Sequence, residues 1–308
     1  MVILRNTSCE VDTAYQYLLL RSQIVAAQIE RLSFGSAQPQ LTVKGISTLK
    51  IPLPPTKDEQ EAIAKALSDA DALIESLGHL IAKKRQLKQG TMQELLIGKN
   101  RLPGFSGEWE VKKLSKIGEP YGGLTGKTKA DFGGGNAQYI PFMNVISNVV
   151  INPSGFERVQ VEKSELQNCA MQGDLFFNGS SETPEEVGLC SVLMCDVPIL
   201  YLNSFCFGFR LASEADTNGL FLAYLFRSDI GRNLMFSLAQ GSTRYNLSKT
   251  NFLKLEVLLP KPDEQAAIAT ILTDMDAEIA ALETKLAKAG QIKQGMMQNL
   301  LTGRIRLV

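Results

Sequence analysis

Residues 1 to about 102 recur as residues about 206 to 307, and this self-similarity constrains the fold more than any other feature of the 308-residue chain. Asp58-Glu59-Gln60 returns 205 positions later as Asp263-Glu264-Gln265. At that offset Ile63, Leu67, Asp69, Asp71, Ile74 and Leu77 reappear as Ile268, Leu272, Asp274, Asp276, Ile279 and Leu282. Lys88-Gln89-Gly90 matches Lys293-Gln294-Gly295, and Leu95-Leu96 with Gly98 matches Leu300-Leu301 with Gly303. Upstream the offset is 206. Arg21-Ser22 aligns with Arg227-Ser228, Gly35-Ser36 with Gly241-Ser242, Leu41 with Leu247, Leu49 with Leu255 and Pro54 with Pro260; after one further gap Leu4-Arg5 meets Phe209-Arg210. Residues 105–205 have no second copy. The period is far too long for a solenoid of short stacked repeats. It describes a large two-part unit, whole in the second copy and starting from its middle, at Met1, in the first.

Within each copy the apolar residues keep a 3.5-residue rhythm. Ile63, Leu67, Ala70, Ile74, Leu77 and Ile81 are spaced 4, 3, 4, 3, 4, and Ile268, Leu272, Met275, Ile279, Leu282 and Leu286 repeat those steps. That spacing is the seam of a coiled coil. Thr56 and Glu59 have the spacing of a capping box, Pro262 suits a first helical turn, and Asp263 suits the positive end of the helix. Gly98 and Gly303 suit the left-handed residue just past a helix end. Each helix is expected to run for about 40 residues, hence about 60 Å. A lone helix would leave so narrow a seam in water, so the two seams are expected to bury each other. A domain of about 150 residues between them, with a radius of gyration near 15 Å, returns the chain close to where it left. The helices are therefore expected to pack antiparallel. Gly90 and Gly295 each cost roughly 1 kcal/mol inside a helix. Their recurrence points to a built-in break or to close contact with a partner.

Composition excludes several classes. Hydrophobic residues are 44% and charged residues 21%, which argues against wholesale disorder. Lys plus Arg and Asp plus Glu are both 32, so no global field draws the chain to nucleic acid or to anionic membranes. No run of about 18 apolar residues and no signal pattern is present; a cytoplasmic protein that does not span a membrane is expected. Cys9, Cys169, Cys190, Cys195 and Cys206 show no CxxC spacing and read as reduced thiols. The one histidine, His79, lies in a charged helical pattern, so a metal site built on histidines is excluded. Gly122-Gly123-Leu124-Thr125-Gly126-Lys127-Thr128 imitates a phosphate-binding loop, but Tyr121 stands where its first glycine belongs and no helix-like pattern follows.

Residues 105 to about 253 change character. Short apolar runs at Gln138–Phe142, Asp174–Asn178, Ser191–Met194 and Phe205–Phe209 alternate with Gly, Asn and Ser, as strands and turns do. A helical stretch is expected at Gly219–Gln240 and a last strand at Leu253–Leu259. The fold class is thus α+β, a mixed, mostly β domain plus two long helices in an antiparallel coiled coil. This domain holds 12 basic and 15 acidic residues, poor for a lone nucleic-acid binder. Its loops are nevertheless rich in groups suited to base edges and phosphates. They fall in three clusters: Lys127, Thr128 and Lys129; Asn178, Ser180, Ser181, Glu182 and Thr183; and Ser242, Thr243, Arg244, Tyr245 and Asn246. Solvated turns would show the same composition.

The order of Gly241-Ser242-Thr243, Leu247-Ser248, an apolar strand ending in proline, Asp-Glu-Gln, a heptad helix, Lys-Gln-Gly and Leu300 to Leu307 resembles the specificity subunits of type I restriction–modification systems. Arg101-Leu102-Pro103-Gly104-Phe105, Trp109, Leu114, Gly122-Gly123 and Tyr139-Ile140-Pro141 are similar to the start of that family's target-recognition domain. The resemblance covers essentially the whole chain. It implies a non-catalytic subunit that reads one half of a split site in double-stranded DNA, with the coiled coil setting spacing and docking methylation subunits. About 60 Å of helix corresponds to at most roughly 18 base pairs. The resemblance further implies methylation subunits that use S-adenosylmethionine and a motor-nuclease (restriction) subunit that uses ATP and Mg, with no cofactor bound by this chain. The DNA contacts it suggests are Lys127, Lys129, Asn178, Ser180, Ser181, Ser242, Thr243, Arg244 and Tyr245, Arg244 foremost.

Four segments follow: a remnant of a first recognition domain at 1–55, a long helix at 56–98, a complete recognition domain at 99–255, and a second strand and long helix at 256–308. The remnant is expected to leave part of its core exposed, to be less ordered or completed by another chain, and to support self-association. Two other classes stay open on the residues alone, a protein-interaction scaffold that never touches DNA and an enzyme whose catalytic constellation the sequence does not display.

Overall fold

Two 39-residue helices, Lys57–Leu95 and Pro262–Leu300, carry the heptad seams. They belong to a computed structural model that describes residues 9–33, 40–241 and 243–307. The correspondences expected at Leu4-Arg5 and Gly35-Ser36, and the contact expected at Ser242, fall outside the described residues. The chain divides into two compact units, residues 1–85 with 277–308, and residues 86–276. The division cuts both long helices, so each unit owns a part of each.

In the first unit, Thr13–Leu20 and Gln23–Leu32 form two short helices. Asp12 caps the first by accepting a hydrogen bond from the Tyr15 N–H, as an N-cap carboxylate does. Tyr15, Leu18, Leu19 and Val25 pack with Ile63, Ala64 and Leu67 of the first long helix and Leu300 and Leu301 at the end of the second. Further along, Ile81 packs with Ile279 and Leu282. As one helix advances from 63 to 81 the other retreats from 300 to 279, so the pairing inside this unit is antiparallel. Of the expected seam residues here, Ile63, Leu67, Ile81, Ile279 and Leu282 are buried, while Ile74, Leu77 and Leu286 are half-buried. Lys84–Glu278 and Arg85–Glu283, each 2.6 Å, flank the contact, and Lys293 pairs with Asp71.

The second unit pairs the helices in the same antiparallel sense. Leu95 and Leu96 meet Ile268, Ala269 and Leu272, Met275 packs against them half-buried, and Lys88 pairs with Asp276. Its strands are β1 (Glu110–Lys113), β2 (Gly118–Gly122), β3 (Phe132–Ile140), β4 (Glu157–Val159), β5 (Leu175–Asn178), β6 (Ser180–Ser181), β7 (Cys190–Val192), β8 (Leu200–Leu202), β9 (Cys206–Leu211), β10 (Ala239–Gln240), β11 (Tyr245–Leu247) and β12 (Glu256–Leu259). They form four small sheets, ordered β2-β9-β5-β7, β4-β3-β8, β10-β11-β6 and β1-β12. Strand β5 is buried at every position and sits between β9 and β7. Phe252 fills the centre of the core, with ring centroids of Phe177, Phe207 and Phe209 4.9–5.4 Å away.

Three local expectations need correction. The strand ends at Ile140 because Pro141 is the N-cap of a helix, Phe142–Ser147, so Phe142 belongs to that helix. The stretch 219–240 is two helices, Gly219–Arg227 and Asp229–Leu238, because Ser228 is extended and its hydroxyl starts a new helix by capping Gly231. Thr56 and Glu59 make only half of a capping box. The Glu59 N–H donates to the Thr56 hydroxyl, but the Glu59 carboxylate is taken by Arg306. Both helices also run unbroken through Gly90 and Gly295, where a Cβ would meet nothing within 4 Å. These glycines mark open surface.

Equivalent residues make equivalent bonds in each unit, and this gives the Asp-Glu-Gln motif its physical meaning. Glu59 takes Arg306 bidentately, and Glu264 takes Arg101 with both oxygens at 2.6 Å. Gln60 accepts from the Asp12 N–H and donates to the Pro54 carbonyl; Gln265 accepts from the Asn218 N–H and donates to the Pro260 carbonyl. Gly98 and Gly303 both end a helix, at φ +69° and +71°. The copies differ where the sheet enters. Leu259 pairs with β1 and is 2% exposed, whereas its counterpart Leu53 is 45% exposed and makes no strand. Arg227 donates to the carbonyls of Cys190, Val145 and Asn148, whereas its counterpart Arg21 is exposed and donates to Tyr17. Among the described residues the first unit has no counterpart of the β1–β9 sheets.

Candidate nucleic-acid interface

Four loop segments of the second unit converge because short backbone bonds tie them. The Leu124 N–H donates to the Leu202 carbonyl at 2.8 Å, the Gly179 N–H to the Phe205 carbonyl at 2.9 Å, and the Leu247 N–H to the Gly179 carbonyl at 3.0 Å. Strands β6 and β11 pair antiparallel, Tyr245 opposite Ser181 and Asn246 opposite Ser180. Gly123 is required at its place, since a Cβ there would lie 2.0 Å from the Asn203 carbonyl oxygen. The segments enclose an open cleft of about 390 Å³, lined by Gly122–Thr125, Gly179, Ser180, Ser204–Phe207, Asn246, Leu247 and Lys249.

The cleft offers hydroxyls, an amide, glycine backbone, an aromatic ring and a cation. Lys249 holds its ammonium 5.7 Å from the buried Phe207 ring, and the exposed Arg244 holds its guanidinium 5.7 Å from the Phe205 ring. No acid and no histidine lines it among the described residues. Burial pushes the Cys206 thiol up to about 12, with Asn203 opposing, so this sulfur is not a thiolate nucleophile at neutral pH. The arrangement suits binding of a polar, anionic surface.

The expected contacts separate into two groups. Arg244 and Thr243 are exposed, Ser180 lines the cleft, and Ser181 and Tyr245 are half-buried strand neighbours beside it. Lys129 is exposed on a turn, Lys129–Asp131, outside the cleft lining. The side chains of Lys127 and Asn178 are engaged within the chain. The Lys127 ammonium lies 2.6 Å from Glu165 with its side chain 5% exposed. Its hydrogen bond, with those from the Glu162 N–H and Gln167, holds the Glu165 carboxyl at about 2. Asn178 is 1% exposed, accepting from the Leu189 N–H and donating to the Glu186 carbonyl. The loop after Gly126 leads into a single 3-10 turn and then β3, so no helix stands where a phosphate-binding loop needs one. His79 is exposed, 3.7 Å from Glu75.

Sequence patterning missed Phe205 and Lys249. The apolar run Phe205–Phe209 is expected to be one strand, but Ser204 and Phe205 form a turn and β9 starts at Cys206. Phe205 is consequently 57% exposed while Phe207 and Phe209 are buried. Lys249 follows the N-cap Ser248, whose hydroxyl accepts from the Asn251 N–H, and that cap fixes where the lysine starts its helix.

The model of the type I restriction modification DNA specificity domain matches residues 1–84 and 106–291. The chain belongs to the type I restriction–modification specificity-subunit family. It is 26% identical to the type I restriction enzyme MjaVIII specificity subunit of Methanocaldococcus jannaschii, over all of this chain and 73% of that protein. The putative MjaX specificity subunit of the same organism is 24% identical over all of this chain and 71% of its own length. The fold is also that of a solved type I restriction–modification S subunit from M. genitalium, with a TM-score of 0.60 at 18% identity over 95% of this chain and 73% of that one. The α+β class and long-helix coiled coil expected from the sequence are those of a specificity subunit, and such a subunit is a DNA-recognition component.

Proposed function

We propose that this chain reads one half of a split double-stranded DNA site for a type I assembly, through the cleft bounded by Arg244, Lys249 and Phe205. One observation carries the reading. In a domain with more acidic than basic residues, an exposed lysine, an exposed aromatic ring and glycine backbone line one acid-free cleft, and the Arg244 guanidinium stands beside that ring. Methylation subunits supply the rest of the phosphate clamp and bind S-adenosylmethionine; a motor-nuclease subunit uses ATP and Mg. The chain itself binds no cofactor, catalyses no step and works in the cytoplasm. In support of the location, no helix among the described residues is long and apolar enough to cross a membrane.

The coiled coil serves as spacer and dock. In the first unit an apolar groove of about 290 Å³, lined by Ala70, Leu73, Leu77, Lys285, Lys288, Ala289 and Ile292, supports docking of a methylation subunit there. Tyr17, 57% exposed, and Leu53 support self-association through the first unit; sedimentation that stays monomeric at every concentration removes that part. The deciding experiment co-purifies the chain with its adjacent methylation subunit and maps the methylated adenines. Arg244→Ala is expected to weaken binding and to lower the salt slope by about one. Unchanged affinity across sequences refutes the assignment of Arg244. Partner binding that survives deletion of the second unit's sheets, with no DNA footprint from the intact assembly, favours a scaffold.

A further inference from the structure

Phe205 is an exposed aromatic ring on a rigid mount. Its N–H donates to the Asn203 side-chain oxygen at 2.9 Å, and its carbonyl accepts from the Gly179 N–H at 2.9 Å. Asn203 is itself buried, and its amide donates to the Ile140 carbonyl at 3.1 Å. The backbone of the turn therefore has little freedom to fold the ring back into the core. The residue stays 57% exposed even with the Arg244 guanidinium beside its ring. Exposing a large ring on a pinned turn loses hydrophobic stabilisation that the neighbouring Phe207 and Phe209 retain. A base face recovers that loss, because aromatic side chains stack on unstacked bases whatever their sequence. Apolar wedges also open base steps, most readily the flexible pyrimidine–purine ones.

Resting on the DNA-recognition reading above, we propose that Phe205 is a stacking wedge: its ring packs on a nucleobase at an opened step of the target while the Arg244 guanidinium holds the adjoining phosphate or base edge. The cleft beside the ring, floored by Gly123 and Gly179, leaves space for the displaced base or backbone. Specificity at that step then comes from how easily the DNA opens, and part of the recognised sequence carries no hydrogen-bond contact from this chain.

The test uses the chain assembled with its methylation subunit, and target duplexes with 2-aminopurine placed in turn at each position of the half-site. Stacking quenches this base, so opening a step raises its fluorescence. Wild-type assembly is expected to raise the signal at one or two adjacent positions. Phe205→Ala abolishes the rise and lowers affinity by roughly 5- to 160-fold, the equivalent of about 1–3 kcal/mol. Phe205→Trp keeps both, and Arg244→Ala weakens binding yet keeps the rise at saturation. A urea-unfolding midpoint by circular dichroism equal to that of wild type confirms that each variant is folded. A Phe205→Ala assembly within twofold of wild type and with the same fluorescence profile overturns the wedge and leaves the DNA-recognition reading standing. A wild-type assembly with no sequence-selective binding overturns both.

Discussion

Truncating Phe252 to alanine removes the ring that holds the recognition domain's core together. The side chain is fully buried and touches the rings of Phe177, Phe207, Phe209 and Phe226. Burying a phenylalanine contributes about 1.5–3 kcal/mol of transfer free energy. The cavity adds to that, because four packed rings cannot collapse onto one methyl, giving about 3–5 kcal/mol in total. The single tryptophan, Trp109, sits in the same unit with its ring edge-on to Phe221, so its fluorescence reports this unit's unfolding. With a urea dependence of about 2–3 kcal/mol/M, the midpoint should fall by about 1–2.5 M at unchanged slope. Phe252→Leu, which refills most of the volume, should lose clearly less. A shift under about 0.3 M for alanine would refute the hub, since no relaxation that large is compatible with surrounding rings fixed on three different elements.

Three further outcomes are expected. Lys127→Met should leave the salt slope of DNA binding unchanged while raising hydrogen exchange at residues 122–128, because the Lys127 ammonium is already paired with Glu165. The Glu165 carboxyl is depressed, so its contribution to stability is complete above the ordinary carboxylate range and is lost as pH falls from about 4.5 towards 2; acid titration of that loop by NMR checks the window. Gly90→Ala and Gly295→Ala should each stabilise the free chain by about 0.5–1 kcal/mol, since the added methyl meets open space and removes backbone entropy. If a methylation subunit lies close at either glycine, co-purification yield falls at the same time.

The long helices, their ends and their seam were legible because a heptad repeat needs only spacing, and because two copies of each signal agree. The antiparallel sense followed from chain reach. The recognition domain was legible only in outline. Its short strands were marked by apolar runs, but the register of β6 against β11, which builds the cleft, is set by backbone bonds between residues more than sixty positions apart. The engagement of Lys127 and Asn178 was not legible, because a loop lysine and a loop asparagine look alike in sequence whether they face solvent or clamp a neighbouring loop. Phe205 hid in an apolar run whose first residue belongs to a turn and not to the strand.

The Glu59–Arg306 and Glu264–Arg101 clasps have a consequence for inheritance. Each joins residues inside the duplicated sequence, and neither involves the unduplicated stretch 105–205. A crossover that replaced that stretch with one from a relative would leave both fastenings untouched. Such an exchange would renew Gly122–Thr125, Ser180 and Phe205 of the cleft but keep Asn246 and Lys249, which lie in the duplicated sequence, so the frame and one wall of the cleft are inherited together.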